Sequence, residues 1–252
     1  MEKGSLILID YTAKVKDSDE IFETTVEENA KKSNLYDPGV KYEPRLVSIG
    51  EGWVLKGLDE ILTTAKIGDN LNVDIPPEKA FGARDPNKVR MIPQRKFGDK
   101  ADEIKAGDVV DIDDRRGFVR FIGSGRVQVD FNHRLAGKTL NYDVNVLKVL
   151  KTDEEKASSL VKRRLFVEGD KIKISLVKPE LAITLPDEAF LIEGLQIIKK
   201  AVSADLFKFI PTIDSVKFLE IYNKTKATSK AKEEPKAKEE PKAKEEPRTQ
   251  KN

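Results

Sequence analysis

Cysteine is absent from this chain of 252 residues, and histidine and tryptophan each occur once. The absence of cysteine excludes disulfides, thiolate nucleophiles and cysteine-ligated zinc, and one histidine leaves little scope for other zinc sites. No apolar run approaches the roughly 18 residues of a membrane-spanning helix. The first apolar run ends at Asp10, too early for a signal peptide. We therefore expect a cytoplasmic chain that binds no metal and no cofactor and contacts no membrane.

Charged residues make up 36% of the chain, against about a quarter in an ordinary globular protein. The net charge of +2 is unevenly distributed: residues 224–252 carry ten Lys and Arg against six Glu, which is +4 and leaves −2 for residues 1–223. This tail repeats KAKEEP three times and has nothing to bury, so it is predicted to be disordered. We interpret it as a solvated spacer, with contact to RNA or the ribosome as the weaker alternative.

Residues 49–82 combine a glycine turn, a helix and a strand in close succession. Gly50 and Gly52 allow a sharp backbone turn. The apolar residues after Gly57 recur at helical spacing, and residues 71–75 alternate as in a strand with one exposed face. Elements this short cannot form a core alone, so they require a sheet built from other parts of the chain. Four further segments show strand patterns: residues 5–15, 21–25, 45–49 and 139–149.

Residues 88–130 differ in character from the segments around them. They contain four short strand candidates separated by tight turns: residues 89–92, 109–112, 117–122 and 126–131. Repeated short strands are typical of a small all-β unit. Because the strand at 139–149 is expected to rejoin the first sheet, residues 88–130 are interpreted as an insertion. The host domain then consists of residues 1–87 and 131–151.

A third unit is predicted at residues 152–223. The spacing of apolar residues predicts a helix over 153–168, a mostly helical segment over 187–209, and strands around them that end with 216–222. This pattern favours a small α+β unit. No motif in it indicates a chemical activity.

Three short motifs receive structural interpretations. Residues 136–139 end like a phosphate-binding loop, but Asn132 occupies the place of the required glycine and a strand follows. The aspartates within 111–114 lack the order of a calcium loop, so we interpret them as solvated charges in a hairpin turn. His133 has no partner for nucleophilic or metal chemistry, so we interpret it as a structural hydrogen-bonding residue.

Aromatic residues recur on the faces and edges of the predicted first sheet, at Tyr11, Phe22, Phe81 and Tyr142. Either they converge on a pocket beside the helix or they pack as an ordinary core. Periodicity alone favours the core, and it leaves both interpretations open.

Five motifs occur in a characteristic order over residues 6–150: Tyr11-Thr12, GEGWVLKGLD at 50–59, Gly68-Asp69, PEKAFG at 77–82 and VDFNHRLAGKTLNYD at 129–143. This order resembles the FKBP-type peptidyl-prolyl isomerases, and within them the SlyD-like group, whose flap carries an inserted domain. The extra C-terminal unit is similar to the long archaeal members. The resemblance implies an α+β fold: an antiparallel sheet wrapped around a short helix, a small all-β insert-in-flap domain and a C-terminal α+β domain.

The resemblance also implies a proline-binding pocket with eight residues: Tyr11, Phe22, Glu23, Val54, Leu55, Leu58, Phe81 and Tyr142. Leu58 replaces the tryptophan found in many relatives, and Phe81 replaces a tyrosine whose hydroxyl binds the substrate carbonyl. Glu23 replaces the usual aspartate. A backbone amide near Leu55 is expected to orient the substrate carbonyl.

The implied activity is cis-trans isomerisation of X-Pro bonds, without nucleophile or cofactor. By resemblance, the insert is a chaperone flap that binds unfolded segments through Met91, Ile92, Phe118 and Phe121, although these residues alternatively form the insert's own core. The expected partners are unfolded or partly folded polypeptides that contain proline, with a homodimer through the C-terminal domain as a further expectation. The alternative function is a holdase with little isomerase activity. The tail lacks the His and Cys that bind metal in SlyD-like relatives, so no nickel role is expected.

Overall fold

A computed structural model describes residues 1–165, 167 and 171–222, without the side chains of residues 99 and 100. The tail predicted to be disordered, residue 223 and two residues of the helix predicted over 153–168, namely 166 and 168, lie outside the described residues; the helix itself ends at Arg164. Within the described ranges the chain is α+β, with three sheets and four α-helices.

The first sheet has five strands: β1 (Leu6–Val15), β2 (Ile21–Thr24), β3 (Arg45–Ser48), β4 (Asn70–Ile75) and β9 (Leu140–Val149). All pairings are antiparallel. Strand β9 lies between β1 and β4, while β3 and β2 share the other edge of β1. The structure confirms the antiparallel sheet expected from the resemblance.

Helix α2 (Lys56–Thr64) packs on this sheet, whereas the shorter α1 (Glu27–Lys32) lies in the loop between β2 and β3. Leu58 and Leu62 on α2 are buried in one cluster with the inward residues of β1 and β9. The helix approaches β4 so closely that a Cβ on Gly57 would lie 2.5 Å from Cγ2 of Ile75. Glycine is therefore required at this position.

Strand β1 is buried on both faces where its sequence is a continuous apolar run, over residues 6–9. Ile7 and Ile9 join the core beneath α2, and Leu6 and Leu8 pack on the opposite side against the C-terminal unit. Because successive strand residues point to opposite faces, this one strand serves two cores.

The second sheet is formed by β5 (Val89–Pro93), β6 (Val109–Ile112), β7 (Arg115–Gly123) and β8 (Arg126–Asp130), in the order β5-β8-β7-β6. It has a small core of its own, made of Ile92, Val119, Val127 and Val129. Val89 pairs with Asp130, so the two ends of the insert lie side by side.

The C-terminal unit contains α3 (Asp153–Arg164), β10 (Lys173–Val177), β11 (Glu180–Leu185), α4 (Leu195–Phe209) and β12 (Ser215–Glu220). Strand β11 pairs antiparallel with β10 and parallel with β12. The segment predicted as mostly helical contains a 3-10 turn at Asp187–Leu191 before α4. The core of this unit continues into the first domain through Leu6, Leu46 and Leu150. In the part of the chain that the structure describes, no helix has the length and apolarity needed to cross a membrane.

Candidate active site

A cavity of about 350 Å³ lies between the first sheet and the start of α2. Ten residues line it: Tyr11, Glu23, Arg45, Gly52, Trp53, Val54, Leu55, Leu58, Phe81 and Tyr142. Seven of the eight residues that the resemblance assigned to the pocket are among them. The eighth, Phe22, packs edge-on against the Tyr142 ring, with centroids 6.2 Å apart, and so contacts the pocket through that ring. The structure thus brings the aromatic residues together around a cavity.

Three polar side chains meet on one side of the cavity. The Tyr11 hydroxyl donates a 2.6 Å hydrogen bond to Oε1 of Glu23. Nη1 of Arg45 donates both to the Tyr11 hydroxyl, at 2.6 Å, and to the same Glu23 oxygen, at 2.7 Å. The three residues come together because β2 and β3 both pair with β1. Each group satisfies the others, so the Tyr11 ring is held in a fixed orientation.

The electrostatics of this triad keep both pocket tyrosines protonated. Burial raises the pKa of the Tyr11 phenol far above its ordinary value, and its hydrogen bond to Glu23 and the charge of Glu23 raise it further, against the opposing effect of Arg45. Burial, followed by the Glu23 charge, likewise raises the pKa of Tyr142. Burial would lower the pKa of Arg45, but Tyr11 and Glu23 outweigh it and raise that pKa. The pocket therefore presents neutral phenols beside a charged guanidinium.

The opposite wall is the loop that precedes α2. Gly50 and Gly52 have φ angles of +74° and +65°, in the left-handed region that favours glycine. Their amides donate to the two carboxylate oxygens of the buried Asp59, at 2.8 and 3.2 Å, so the loop is fastened to α2. Within the described residues no side chain caps the start of α2 at Leu55. The first N–H groups of a helix lack intrahelical acceptors, so this end can bind a carbonyl oxygen.

Leu58 forms the floor of the cavity and Phe81 part of its rim. Leu58 is 1% exposed, whereas Phe81 is 36% exposed and stacks on the His133 ring with centroids 4.1 Å apart. Nδ1 of His133 accepts a 3.2 Å hydrogen bond from the amide of Leu135. The structural hydrogen bond predicted for His133 is present, and the imidazole also supports the pocket rim.

The four insert residues predicted to bind clients have different environments. Met91 and Phe121 are 46% and 58% exposed. Ile92 is 8% exposed in the core of the second sheet, because it alternates with Met91 along β5. Ile92 is therefore a packing residue and not part of a client-facing surface. Phe118 is half-buried and lines a second concavity of about 250 Å³ between the insert and the first domain.

Three lining residues, Arg45, Gly52 and Trp53, were not predicted from the sequence. Arg45 had one available signal, since a carboxylate such as Glu23 beside an apolar pocket requires a charged or hydrogen-bonding partner. For Trp53 the signal in the sequence was weaker: it is the single tryptophan of the chain, and it lies in a glycine-rich turn. Its contacts come from α3 and α4, which periodicity does not connect to the pocket.

The cavity is suited to non-covalent chemistry. None of its ten lining residues is a serine, threonine, cysteine, lysine or histidine, and its one carboxylate is engaged by Tyr11 and Arg45. Across the described ranges no group of three or more His, Asp or Glu side chains is arranged to hold a metal ion. The site can bind an apolar ring, orient a carbonyl through the start of α2 and donate hydrogen bonds.

Comparisons with known proteins agree with this geometry. A family model for FKBP-type peptidyl-prolyl cis-trans isomerases matches residues 1–147, and a second model, FKBP26_C-terminal, matches residues 153–223. The short-type peptidyl-prolyl cis-trans isomerase of Methanocaldococcus jannaschii is 31% identical over 155 residues, which are 62% of this chain and 98% of that protein. The FKBP-type 16 kDa peptidyl-prolyl cis-trans isomerase of Escherichia coli K12 is 29% identical over 59% of this chain and 93% of its own. The FKBP-type peptidyl-prolyl cis-trans isomerase SlyD of Helicobacter pylori is 29% identical over 49% of this chain and 68% of its own.

The fold and the site together are an antiparallel sheet that packs on a short helix, with a cavity lined largely by aromatic and aliphatic side chains between them. The chain belongs to the FKBP-type peptidyl-prolyl cis-trans isomerases, and it is an enzyme of that family. Within the family it is SlyD-like, and its similarity to an archaeal relative supports the archaeal type.

Proposed function

We propose that this enzyme isomerises X-Pro bonds in unfolded or partly folded polypeptides, and that its insert holds those polypeptides during catalysis. The observation that carries the proposal is the cavity in which the side chains of Tyr11, Leu58 and Tyr142 surround a space beside the uncapped start of α2. Its volume of about 350 Å³ is at the lower end of ligand pockets and suits a proline ring with part of the preceding residue.

The chemistry follows from the electronic structure of the X-Pro amide. Rotation about its C–N bond has a barrier of about 18–20 kcal/mol, because the planar amide is stabilised by resonance. In the twisted transition state that resonance is lost, so the carbonyl is less dipolar and needs less hydration. An apolar pocket that excludes water therefore destabilises the planar amide relative to the twisted one. Each ~1.4 kcal/mol of this difference gives a tenfold increase in rate.

The lining residues have distinct roles in this mechanism. Leu58 and Tyr142 contact the proline ring, and the backbone amide at Leu55 orients the carbonyl of the preceding residue. Tyr11, held by Glu23 and Arg45, fixes one wall. Phe81 covers the entrance without the hydroxyl that relatives place there, so catalysis depends here on shape and exclusion of water.

The insert supplies affinity for unfolded chains. Met91 and Phe121 present apolar side chains on the second sheet, beyond the pocket rim. A segment bound there holds neighbouring prolines near the cavity and raises their effective concentration. Short peptides do not reach both sites, so they gain nothing from the insert.

Phe81→Ala tests the pocket. We expect kcat/KM for a short peptide with one Leu-Pro bond, measured by NMR exchange, to fall about tenfold, which is about 1.4 kcal/mol. The matched control is Phe207→Ala, which removes a similarly exposed ring on α4 and is expected to leave the rate unchanged. Equal rates in wild type and Phe81→Ala would contradict the role of Phe81 in covering the pocket entrance.

The double variant Met91→Gln/Phe121→Gln tests the insert. We expect slower proline-limited refolding of a protein substrate and weaker suppression of aggregation, with an unchanged rate on the short peptide. Ile67→Gln, which changes another side chain of similar exposure, is the control. If the wild type suppresses aggregation but leaves the proline-limited phase unchanged, the holdase alternative replaces isomerisation of protein clients.

A homodimer through the C-terminal unit is the remaining part of the proposal. Leu191 and Ile197 are 90% and 77% exposed, and Val177 is 72% exposed. Single exposed apolar residues are common on monomers, but several on one small unit are compatible with a contact surface.

A further inference from the structure

Trp53 lies between the proline pocket and the C-terminal unit. On one side it is part of the pocket lining. On the other side its ring packs edge-on against Phe209 of α4, with centroids 5.5 Å apart and planes at 77°. The guanidinium of Arg163, on α3, lies 3.7 Å from the centroid of the same ring. One side chain therefore contacts both the pocket and two helices of another unit.

Contacts between α3 and α4 fix the positions of Arg163 and Phe209, the two partners of the indole. Asp205 on α4 accepts a 2.5 Å hydrogen bond from Nε of Arg164, and Nη1 of Arg163 lies 3.7 Å from the same carboxylate. The two helices are thus joined beside the Trp53 contact. Lys208 on α4 forms an ion pair with Glu51 in the loop, which is a second link to the same turn.

The loop that carries Trp53 is restrained from two directions. Asp59 binds the amides of Gly50 and Gly52 from the side of α2. The contacts of Trp53 with α3 and α4 restrain the loop from the opposite side. Val54 and Leu55, which line the pocket, follow Trp53 directly in the chain, so the contacts that hold the indole also restrain the backbone that leads into them.

We propose that Trp53 is a positioning residue through which the C-terminal unit sets the geometry of the proline pocket. Arg163 and Phe209 hold the indole, and the indole fixes the backbone at Val54 and Leu55, including the amide that orients the substrate carbonyl. The C-terminal unit then contributes to catalysis itself, in addition to any role in self-association. This inference rests on the proposed function of the pocket.

A purely structural role for Trp53 makes a different prediction. If the indole only joins two cores, loosening its contacts lowers the stability of the protein and leaves the isomerisation rate of the remaining folded molecules unchanged. The test therefore needs substitutions at residues that do not line the pocket. For each variant, both the isomerisation rate and the stability of the fold must be measured.

Arg163→Gln and Phe209→Leu in the full chain meet this requirement. We expect each to lower kcat/KM for the Leu-Pro peptide about fivefold, which corresponds to about 1 kcal/mol. Lys178→Gln is the control, because it breaks the 2.8 Å ion pair with Asp153 at the N-terminal end of α3, away from Arg163 and the indole. It is expected to lower the unfolding temperature and to leave kcat/KM within about twofold.

Substitution of Trp53 itself supplies a rescue. Phenylalanine retains an aromatic face for Arg163 and an edge for Phe209. Trp53→Phe is therefore expected to retain most of the activity that Trp53→Leu loses. Equal activity in the two variants would argue against positioning by the aromatic contacts.

Tryptophan fluorescence gives a second readout, because Trp53 is the only tryptophan in the chain. Addition of the proline peptide should shift its emission, and Phe209→Leu should weaken the peptide Kd obtained from that shift about fivefold. If Arg163→Gln and Phe209→Leu lower stability while kcat/KM and Kd stay within about twofold of wild type, the proposal is overturned. A wild-type chain that does not isomerise the peptide would contradict the proposed function instead, and the Kd comparison alone would then decide the coupling.

Discussion

The Tyr11 hydroxyl and the Glu23 carboxylate share a 2.6 Å hydrogen bond at the wall of the proline pocket, and Arg45 donates to both groups. One oxygen of the Glu23 carboxylate therefore accepts from both the Tyr11 hydroxyl and the Arg45 guanidinium. A charged acceptor on one side and a charged donor on the other leave the Tyr11 hydroxyl a single favourable orientation.

The first prediction concerns the charge of Glu23. Glu23→Gln keeps the shape of the side chain but replaces a charge-assisted hydrogen bond with a neutral one and leaves Arg45 without its counter-ion. Because about half of each charged side chain is exposed, we expect a loss of only about 1 kcal/mol, or about fivefold in kcat/KM. Glu20→Gln is the control, since it removes the same charge from the preceding turn without contacting Tyr11. A similar loss of kcat/KM in both variants would show that the effect comes from the overall electrostatic potential and not from the contacts of Glu23.

The second prediction follows from the raised pKa values of Tyr11 and Tyr142. A group whose pKa is higher in the folded than in the unfolded state stabilises the fold below its unfolded pKa, which is about 10 for tyrosine. That stabilisation is lost as the pH rises above this value. We therefore expect the free energy of unfolding, measured with urea, to decline between about pH 9 and 11.

Lysines also titrate in this range, so the test is a comparison. In the double variant Tyr11→Phe/Tyr142→Phe every lysine is retained, and only the two phenols are removed. Its decline with pH should be shallower than that of the wild type. Identical slopes would mean that the two buried phenols do not titrate differently in the folded and unfolded states.

The limits of sequence analysis are clearest at Tyr11 and Trp53. The alternation of β1 predicts Tyr11 on the inward face, and the family motifs assign most of the pocket residues. Arg45 and Trp53 were missed because their roles depend on partners far away in the chain. The strand predicted over 89–92 already puts Met91 and Ile92 on opposite faces. Which of the two is buried depends on how β5 packs in the second sheet, and the sequence alone does not give that.

The third prediction concerns Asp130, where the insert meets the first domain. Its carboxylate is 2% exposed and accepts hydrogen bonds from Arg84, Arg120 and Asn132. Burial alone would raise the pKa of Asp130, but the Asn132 side chain and amide and the two arginines outweigh it and hold the pKa below its ordinary value. The carboxylate therefore stabilises the joint as an anion.

Asp130→Asn should lower the free energy of unfolding by about 2 kcal/mol at pH 7, since both arginines are half-exposed and remain solvated. A depressed pKa contributes stability above the unfolded value of about 3.9, and that contribution is lost as the pH falls below it. The difference between wild type and variant should therefore narrow at about pH 3. Asp111→Asn, at an exposed position in β6, is the control. A difference that stays constant with pH would show that the missing charge is not its cause.

The last prediction tests self-association through the C-terminal unit. Leu191 and Ile197 are the most exposed aliphatic side chains among the described residues of that unit, and glutamine at both positions keeps the surface uncharged while removing its apolar area. If they lie in a dimer contact, sedimentation velocity should show a wild-type dimer and a monomeric Leu191→Gln/Ile197→Gln variant with the same unfolding temperature at low concentration. Ile67→Gln should remain dimeric, because that side chain, although 54% exposed, belongs to the first domain. A wild type that sediments as a monomer at every concentration would remove the dimer from the proposed function and leave the contacts of Trp53 as the role of the C-terminal unit.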